Sequence, residues 1–275
     1  MLSFFKMSCA GNDYLYTFAK KPSKEVIKSV CNRYGGIGSD GVVIIYKKGE
    51  NFAIKIFNAD GSFAPFCGNA TLSVAKYLFD SGLVLKNRFV ICTDSGDKKV
   101  TVFGKKVCKK VRLEVGKPHF QVNKKQFVNK CAINKLFTLF TENGEKVRFR
   151  ASVVSVGNLH LVVRVGEFNN LKMKKILSAV NKSGLFPNGV NVEFVSFANN
   201  RAKVVVFERG SGRTLACASG ATAVFWALKN EYKNLKELLI NFEGGDIFTK
   251  FINGKVSIFG KPKYEKIEKT EWSKW

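Results

Sequence analysis

The fold of this chain is decided by two stretches of sequence, FNADGSFAPFCGNAT (residues 57–71) and FERGSGRTLACASGA (residues 207–221). In each, an apolar strand ends in Phe, a Gly-containing turn follows, and a Cys stands ten residues after that Phe. Apolar residues then recur four apart, as on one face of a helix: Val74 and Leu78 in the first stretch, Val224 and Leu228 in the second. This repetition predicts an internal duplication, in which Cys67 and Cys217 open the equivalent helix of each half.

Short β-branched or aromatic runs, bounded by Gly, Asn or Lys, predict strands on either side of these stretches. They lie at 42–46, 52–57, 89–93, 100–103 and 111–115, and then at 153–156, 161–165, 192–197, 203–207, 238–242 and 256–259. Because strands dominate both series and few helices interrupt them, we expect an α/β (α+β) chain of two strand-rich halves that change over near residues 115–120.

Two further helices are predicted besides those that begin at the cysteines. Ser23 is a typical N-cap for a helix at 24–33. A second helix at 171–182 places Leu171, Leu177 and Val180 near one face and stops at Gly184.

The chain is long, apolar enough to fold, and strongly basic. Its 275 residues are 45% hydrophobic and carry 46 Lys plus Arg against 21 Asp plus Glu, a formal net charge of +25. The apolar fraction excludes a disordered chain or a small disulfide scaffold. Only 9 of the 46 basic residues are Arg, the residue on which phosphate and base recognition depends. The charge therefore indicates a solvated lysine surface, and we expect no nucleic-acid partner.

Cysteine usage indicates a reducing compartment. The seven Cys include no CxxC pair, and two isolated His cannot complete the usual zinc sites, so we expect free thiols and no metal. No run approaches the roughly 20 apolar residues of a membrane span. Lys6 and Asp13 interrupt what would be the apolar part of a signal peptide. The predicted location is the cytoplasm, without a membrane partner.

A Cys at the start of a helix lies beside unpaired N–H groups, which are expected to lower the pKa of its thiol. The residues that follow, Gly68 and Asn69 or Ala218 and Ser219, leave those amides open to an anion. Two such thiols on opposite faces of an amino-acid α-carbon would invert it, since one thiolate takes the α-proton while the other thiol delivers one. The amides would stabilise the developing enolate charge.

Motifs over nearly the whole chain resemble the diaminopimelate epimerase family, whose members interconvert LL- and meso-diaminopimelate without pyridoxal phosphate. The matching runs, in family order and spacing, are AGNDY (10–14), GIGSDG (36–41), FNADGS (57–62), CGNA (67–70), GNLH (157–160), VNV (190–192) and ERGSGRTLAC (208–217). GIGSDG also spells GxGxxG, but it follows a helix and precedes a strand, the reverse of a dinucleotide-binding motif.

The resemblance implies two pseudo-symmetric half-domains, each a mixed strand-rich sheet wrapped around a central helix, with the active site in the cleft between them. We place the halves at 1–116 and 117–275, with residues 262–275 returning to the first half. It further implies a small-molecule substrate, no cofactor and no metal, and it leaves a homodimer open.

Carried over residue by residue, the resemblance makes Cys67 and Cys217 the two acid/base thiols. The reacting carboxylate would be held by backbone amides and the reacting ammonium by a carboxylate: Gly68, Asn69, Ala218 and Ser219 for the first, Glu208 for the second. The distal end of the substrate would be held by amides and a guanidinium, namely Asn12, Asn58, Asn158, Asn191 and Arg209.

Three positions depart from the family pattern. Leu72 stands where an Arg is usual, and Leu159 replaces the Pro of an Asn-Pro-His motif. Ala218 replaces a Gly, and this Ala is tolerated only if its φ is negative. These differences keep open a racemase of the same fold that acts on another amino acid, such as glutamate or histidine. A non-catalytic, redox-responsive or nucleic-acid-binding protein is the more distant alternative, against which the retention of both Cys with Glu208 and Arg209 argues.

Overall fold

The computed structural model describes residues 2–267 and 271–272. In chain order the strands there are β1 (Leu2–Ser3), β2 (Phe5–Cys9), β3 (Asn12–Thr17), β4 (Gly41–Lys48), β5 (Asn51–Asn58), β6 (Phe63–Ala64), β7 (Arg88–Cys92), β8 (Lys98–Phe103), β9 (Lys110–Gly116), β10 (Lys135–Phe140), β11 (Lys146–Ser155), β12 (Leu159–Arg164), β13 (Asn191–Ala198), β14 (Arg201–Glu208), β15 (Gly212–Thr214), β16 (Glu237–Phe242), β17 (Gly245–Ile252), β18 (Lys255–Gly260), β19 (Lys263–Glu265) and β20 (Glu271–Trp272). The helices are α1 (Lys24–Cys31), α2 (Gly68–Asp80), α3 (Asn170–Lys182) and α4 (Ala218–Glu231).

The described residues form two compact units. One takes residues 2–114 together with 259–267 and 271–272, and the other is the continuous segment Val115–Ile258. The first unit is therefore built from both ends of the chain, and β1 pairs with β20 within it.

The first unit is a mixed sheet around one buried helix. Its strands pair in the order β19, β2, β3, β4, β5, β7, β8, β9, with the short β6 folded back on β5. The β3–β4 and β5–β7 pairings are parallel and the others antiparallel. Helix α2 is buried along nearly its whole surface and contacts β2, β3 and β8. Because β2 and β8 lie far apart in the strand order, the sheet curls around α2, and α1 packs on the outside against β4.

The second unit repeats this pattern. Strands β11, β12, β13, β14, β16 and β17 pair in that order, with β15 folded back on β14 and β10 added at the other edge. The parallel pairings, β12–β13 and β14–β16, fall at the same places as in the first unit. Helix α4 is the buried counterpart of α2 and contacts β11, β13 and β17, while α3 packs on β10 and β11. The internal duplication predicted from the two Cys-containing stretches is confirmed.

Each predicted strand run overlaps an observed strand, and all four predicted helices are present. Ser23 caps α1 by accepting a hydrogen bond from the Val26 N–H. The predicted face of α3 is wrong at Leu171, which is 65% exposed. The buried side chains of that helix include Met173, Ile176 and Val180, whose three- and four-residue spacings keep them on one face.

Candidate active site

Cys67 and Cys217 occupy the same position in their units, the N-cap of the buried helix. Their backbones are nearly identical, with φ −139° and ψ 119° at Cys67 and φ −137° and ψ 117° at Cys217. An extended N-cap leaves the first-turn amides without helical acceptors. Neither α2 nor α4 has an acidic residue in its first turn to offset the positive helix end. Each unit therefore presents a thiol beside an open anion-binding helix terminus.

In the first unit, strand β3 carries the groups that face Cys67. The Cys67 Sγ lies 3.7 Å from Oδ1 of Asn12. Tyr14, two residues further along β3 and on the same face, forms a side-chain hydrogen bond with Cys67, and burial together with the thiol raises its pKa well above the usual range. The ring of Tyr14 lies against Gly41, where an added Cβ would stand 2.8 Å from Cε1. The absence of a side chain at Gly41 leaves room both for this ring and for the Phe57 carbonyl oxygen, which an added Cβ would overlap.

A network of ion pairs and hydrogen bonds holds the side chain of Asn12. Asp40 Oδ2 accepts from Asn12 Nδ2 at 2.6 Å, and Arg33 donates to Asp40 at 2.8 Å and to both oxygens of Asp13 at 3.1 and 2.7 Å. Lys6 contacts Asp13 at 2.8 Å. Burial raises the pKa of Asp13, but hydrogen bonds from Arg33 and Lys6 outweigh it and leave that pKa lowered. Burial, followed by the neighbouring charge of Asp13, raises the pKa of Asp40.

The other predicted binding residues of this unit lie at the ends of β5 and α2. Asn58 ends β5 and donates from Nδ2 to Ser62 Oγ at 2.9 Å. Asn69, in the first turn of α2, is buried, and its Oδ1 has no hydrogen-bond partner among the described residues. A buried acceptor without a partner is uncommon. The Asn69 Oδ1 is therefore available, in the first turn of α2, to accept a hydrogen bond from a ligand.

In the second unit, the sulfur of Cys217 lies between donors and a carboxylate. The Gly220 N–H donates to Sγ at 3.4 Å, and the Ser219 hydroxyl lies 3.3 Å away. Glu208 Oε2 accepts from the thiol at 3.4 Å, while its Oε1 accepts from the Thr214 hydroxyl at 2.6 Å. Glu208 is thereby fixed beside the thiol at the end of β14.

The expectation of a lowered thiol pKa is wrong for Cys217 in this structure. Burial raises the pKa of Cys217 well above its usual value, and the charges of Glu208 and Glu193 add to that effect. The hydrogen bonds from Ser219 and Gly220 act in the opposite direction but are weaker. The helix terminus does not outweigh desolvation and two nearby carboxyl groups.

A chain of hydrogen bonds runs inward from Cys217. Ser219 Oγ accepts from Asn158 Nδ2 at 3.3 Å, and Asn158 Oδ1 lies 3.0 Å from Nε2 of His160. Nδ1 of His160 lies 2.6 Å from Oε1 of Glu193, and both of these side chains are fully buried. Burial raises the pKa of Glu193 above that of an ordinary carboxyl.

Asn191 and Arg209 are joined to each other. The backbone N–H of Arg209 donates to Asn191 Oδ1 at 2.9 Å, and Asn191 Nδ2 donates to the Leu159 carbonyl at 3.1 Å. The Arg209 side chain lies against Gly189, where an added Cβ would stand 2.8 Å from Cδ, and its NH1 donates to the Asn188 carbonyl at 2.8 Å. Asn191 thus holds the Arg209 backbone at the end of β14.

The three departures from the family pattern are accommodated locally. Ala218 is not among the residues with positive φ, so its methyl adds no backbone strain. Leu72 is fully buried and packs against Gly260, where an added Cβ would meet its Cδ1 at 2.8 Å. Leu159 is buried at the start of β12.

Several side chains that contact the site residues were assigned no role in the sequence analysis. They are Lys6, Tyr14, Arg33, Asp40, His160, Glu193 and Thr214. Tyr14 and His160 stood inside quoted motifs, and that was the available signal. Glu193 stood in an apolar strand run and gave none.

All seven cysteines fall within the described residues, and each is a free thiol. Over residues 2–267 and 271–272, no group of three His, Cys, Asp or Glu side chains is arranged to hold a metal ion. No helix of that part of the chain is both long and apolar enough to cross a membrane.

Comparison with known proteins identifies relatives over nearly the whole length. A family model described as diaminopimelate epimerase matches residues 4–121 and 152–264. The diaminopimelate epimerase of Acetivibrio thermocellus is 35% identical over 255 residues, which cover 90% of this chain and 89% of that protein. That of Geobacillus thermodenitrificans is 33% identical over 270 residues, covering 94% and 92%.

Solved structures with low sequence identity share the fold. A probable proline racemase from Agrobacterium radiobacter has a TM-score of 0.69 at 13% identity, and the match covers 99% of this chain and 94% of that one. A hydroxyproline epimerase from Agrobacterium vitis has a TM-score of 0.67 at 14% identity, covering 97% and 90%. The predicted α+β fold class is confirmed.

Proposed function

The chain belongs to the diaminopimelate epimerase family, and on that premise we propose that it interconverts LL- and meso-2,6-diaminopimelate with Cys67 and Cys217 as its two acid/base groups. The observation that carries the proposal is the repeated N-cap: two thiols with nearly the same backbone conformation, each beside first-turn amides that have no acceptor among the helix carbonyls. This reaction would supply meso-diaminopimelate for lysine and peptidoglycan precursors in the cytoplasm.

The proton transfers balance without an added cofactor. One thiol starts ionised and the other protonated. The thiolate removes the α-proton and becomes a thiol, and the electron pair left on carbon is delocalised into the carboxylate, whose charge the helix amides stabilise. The second thiol then gives its proton to the opposite face and becomes the thiolate. The product is inverted at one carbon, and the two thiols have exchanged protonation states.

The surroundings of Cys217 suggest how substrate promotes this ionisation. Glu208 is the carboxylate nearest the sulfur, and its charge raises the pKa of the thiol. We assign Glu208 to the reacting ammonium. When that cation pairs with Glu208, the charge opposing the thiolate is offset, so ionisation becomes easier in the complex than in the free enzyme. The free protein would therefore keep its thiol protonated until an amino acid binds.

The distal end of the substrate is assigned to neutral amides and one guanidinium. Arg209 provides a planar donor pair for the distal carboxylate. The amides that would complete this contact are Asn12, Asn58, Asn158 and Asn191. A shorter amino acid would not reach Arg209 and these Asn side chains. Their presence therefore favours diaminopimelate as the substrate.

Incubation with LL-diaminopimelate in D₂O under reducing conditions tests the proposal. We expect deuterium at one α-carbon as the meso form appears, and loss of epimerisation in both Cys67→Ala and Cys217→Ala. Cys92→Ala, at the end of β7, is the matched control and should remain active. Absence of both deuterium and meso product in the wild-type protein would reject the function. Equal exchange into glutamate or histidine would instead favour the other-amino-acid racemase.

A further inference from the structure

A fully buried acid–imidazole pair lies at the inner end of the hydrogen-bond chain that reaches Cys217. Glu193 is on β13 and His160 on the neighbouring β12, and neither side chain is exposed. The groups that face Glu193 from the surrounding elements are His160, Cys217 on α4 and Glu208 on β14. None of the described Lys or Arg side chains pairs with it, and no atom of the described residues forms a hydrogen bond with its Oε2.

The donor-to-acceptor direction of these hydrogen bonds follows from the orientation of the Asn158 amide. Asn158 donates from Nδ2 to Ser219, so its Oδ1 is directed at His160 and can only accept. Nε2 of His160 must therefore carry a proton. Because Asn158 supplies the hydrogen bond that Ser219 Oγ accepts, the hydroxyl proton of Ser219 is left to point at Cys217 Sγ. Every donor in the chain then points toward the sulfur.

One proton remains to be placed, between Nδ1 of His160 and Oε1 of Glu193, which are 2.6 Å apart. If it were on His160, a carboxylate would lie in a dry interior with Oε2 unsolvated. That carboxylate would be paired with the imidazolium through Oε1 only, and burying two charges with one carboxylate oxygen left without a hydrogen bond is costly. If the proton is on Glu193, Oε2 is a neutral carbonyl oxygen, and only a weak acceptor lacks a partner.

Gly220 supplies the space for this arrangement. A Cβ added there would stand 2.7 Å from Oε1 of Glu193 and 3.1 Å from the Cβ of Cys217. The carboxyl group therefore packs directly on the first turn of α4, the turn that begins with the catalytic thiol. The absence of a side chain at Gly220 therefore leaves room for the Glu193 carboxyl group beside Cys217.

We propose that Glu193 is a positioning residue: it is a neutral acid that donates to Nδ1 of His160, holds that ring as the Nε2–H tautomer, and so directs Asn158 and Ser219 toward Cys217. The inference rests on the proposed function, since it assigns Cys217 as an acid/base thiol. Glu193 itself does not contact the substrate.

Nitrogen-15 NMR of the imidazole rings tests the tautomer without any substrate. The chain has only two His, so in a His119→Gln variant every imidazole signal comes from His160. Between pH 6 and pH 8 we expect a neutral ring with Nε2 protonated and Nδ1 bare. An imidazolium, or a proton on Nδ1, in the wild-type protein overturns the proposal.

Two substitutions separate positioning from folding. Glu193→Gln keeps an N–H donor for Nδ1, and it should retain the Nε2–H tautomer and most of kcat. Glu193→Ala removes the donor, and we expect His160 to lose the single Nε2–H tautomer and kcat to fall about 100-fold, as for a misplaced catalytic group. If Glu193→Gln loses as much activity as Glu193→Ala, the neutral-donor assignment is wrong. An inactive wild-type protein with the expected tautomer would reject the proposed function and, with it, the positioning role toward Cys217, while the tautomer assignment itself would stand.

Discussion

Removing the Thr214 hydroxyl should weaken the reaction by releasing Glu208. Oε1 of Glu208 accepts from Thr214 at 2.6 Å and Oε2 from Cys217 at 3.4 Å, so Thr214 makes the shorter of the two contacts. A hydrogen bond to a charged group contributes about 1.5–3 kcal/mol. Since both residues are partly exposed, we take the lower end, about 1.5 kcal/mol. That corresponds to about a tenfold loss of kcat/KM in Thr214→Val.

The assay is the initial rate of meso-diaminopimelate formation over a range of substrate concentrations. Because Glu208 is assigned to the reacting ammonium, most of the loss should fall on KM if the carboxylate binds substrate and transition state equally. Thr214→Ser keeps the hydroxyl and is the matched control, which should stay within about twofold of the wild-type rate. A Thr214→Val enzyme with unchanged kcat/KM would refute the assignment of Glu208.

Two further predictions concern stability. Asp13→Asn should lower the free energy of unfolding at pH 7, because hydrogen bonds from its basic partners leave the pKa of Asp13 lowered despite burial. An acid whose pKa is lowered by folding stabilises the folded state at pH values above its unfolded pKa of about 3.9. In urea titrations, the difference in unfolding free energy between wild type and Asp13→Asn should therefore shrink below about pH 4. A difference that does not change with pH would contradict the lowered pKa. Lys76→Ala should destabilise by about 3 kcal/mol in the same assay, because it leaves the nearly buried carboxylate of Asp80 without its 2.7 Å cation. Lys175→Ala removes the cation of an exposed ion pair and should lower the free energy of unfolding by less than about 1 kcal/mol. Equal losses in Lys76→Ala and Lys175→Ala would show that burial does not determine the contribution of an ion pair to stability.

The sequence predicts this fold well where one physical signal dominates. Runs such as 42–46 and 192–197 consist mostly of β-branched and aromatic residues, which favour a strand over a helix, and they form β4 and β13. The first strands were missed. In β2, Lys6 interrupts the apolar pattern, and its ammonium group contacts Asp13 and the Gly38 carbonyl, which the fold brings close. Contacts between residues so far apart in sequence are not visible in a local pattern.

The site divides in the same way. The positions of Cys67 and Cys217 at helix starts followed from the repeated stretches and are confirmed. The direction of the Cys217 pKa did not follow, because burial and two carboxyl groups outweigh the helix terminus. Glu193 could not be found at all, since a single acid in the strand NVEFV resembles any solvent-facing position. Its function depends on a neighbouring strand and on a glycine of α4.

The two-ended construction of the first unit has a consequence for synthesis on the ribosome. Strand β2 pairs through Ser8 with Lys263 of β19, which is translated 255 residues later. At about 5–20 residues per second this is a delay of roughly 13 to 50 seconds, during which that edge of β2 has no partner strand. The continuous Val115–Ile258 unit emerges whole within that interval. The Cys217 unit is therefore complete before the Cys67 unit, and a reaction that needs both thiols begins only after β19 has been added.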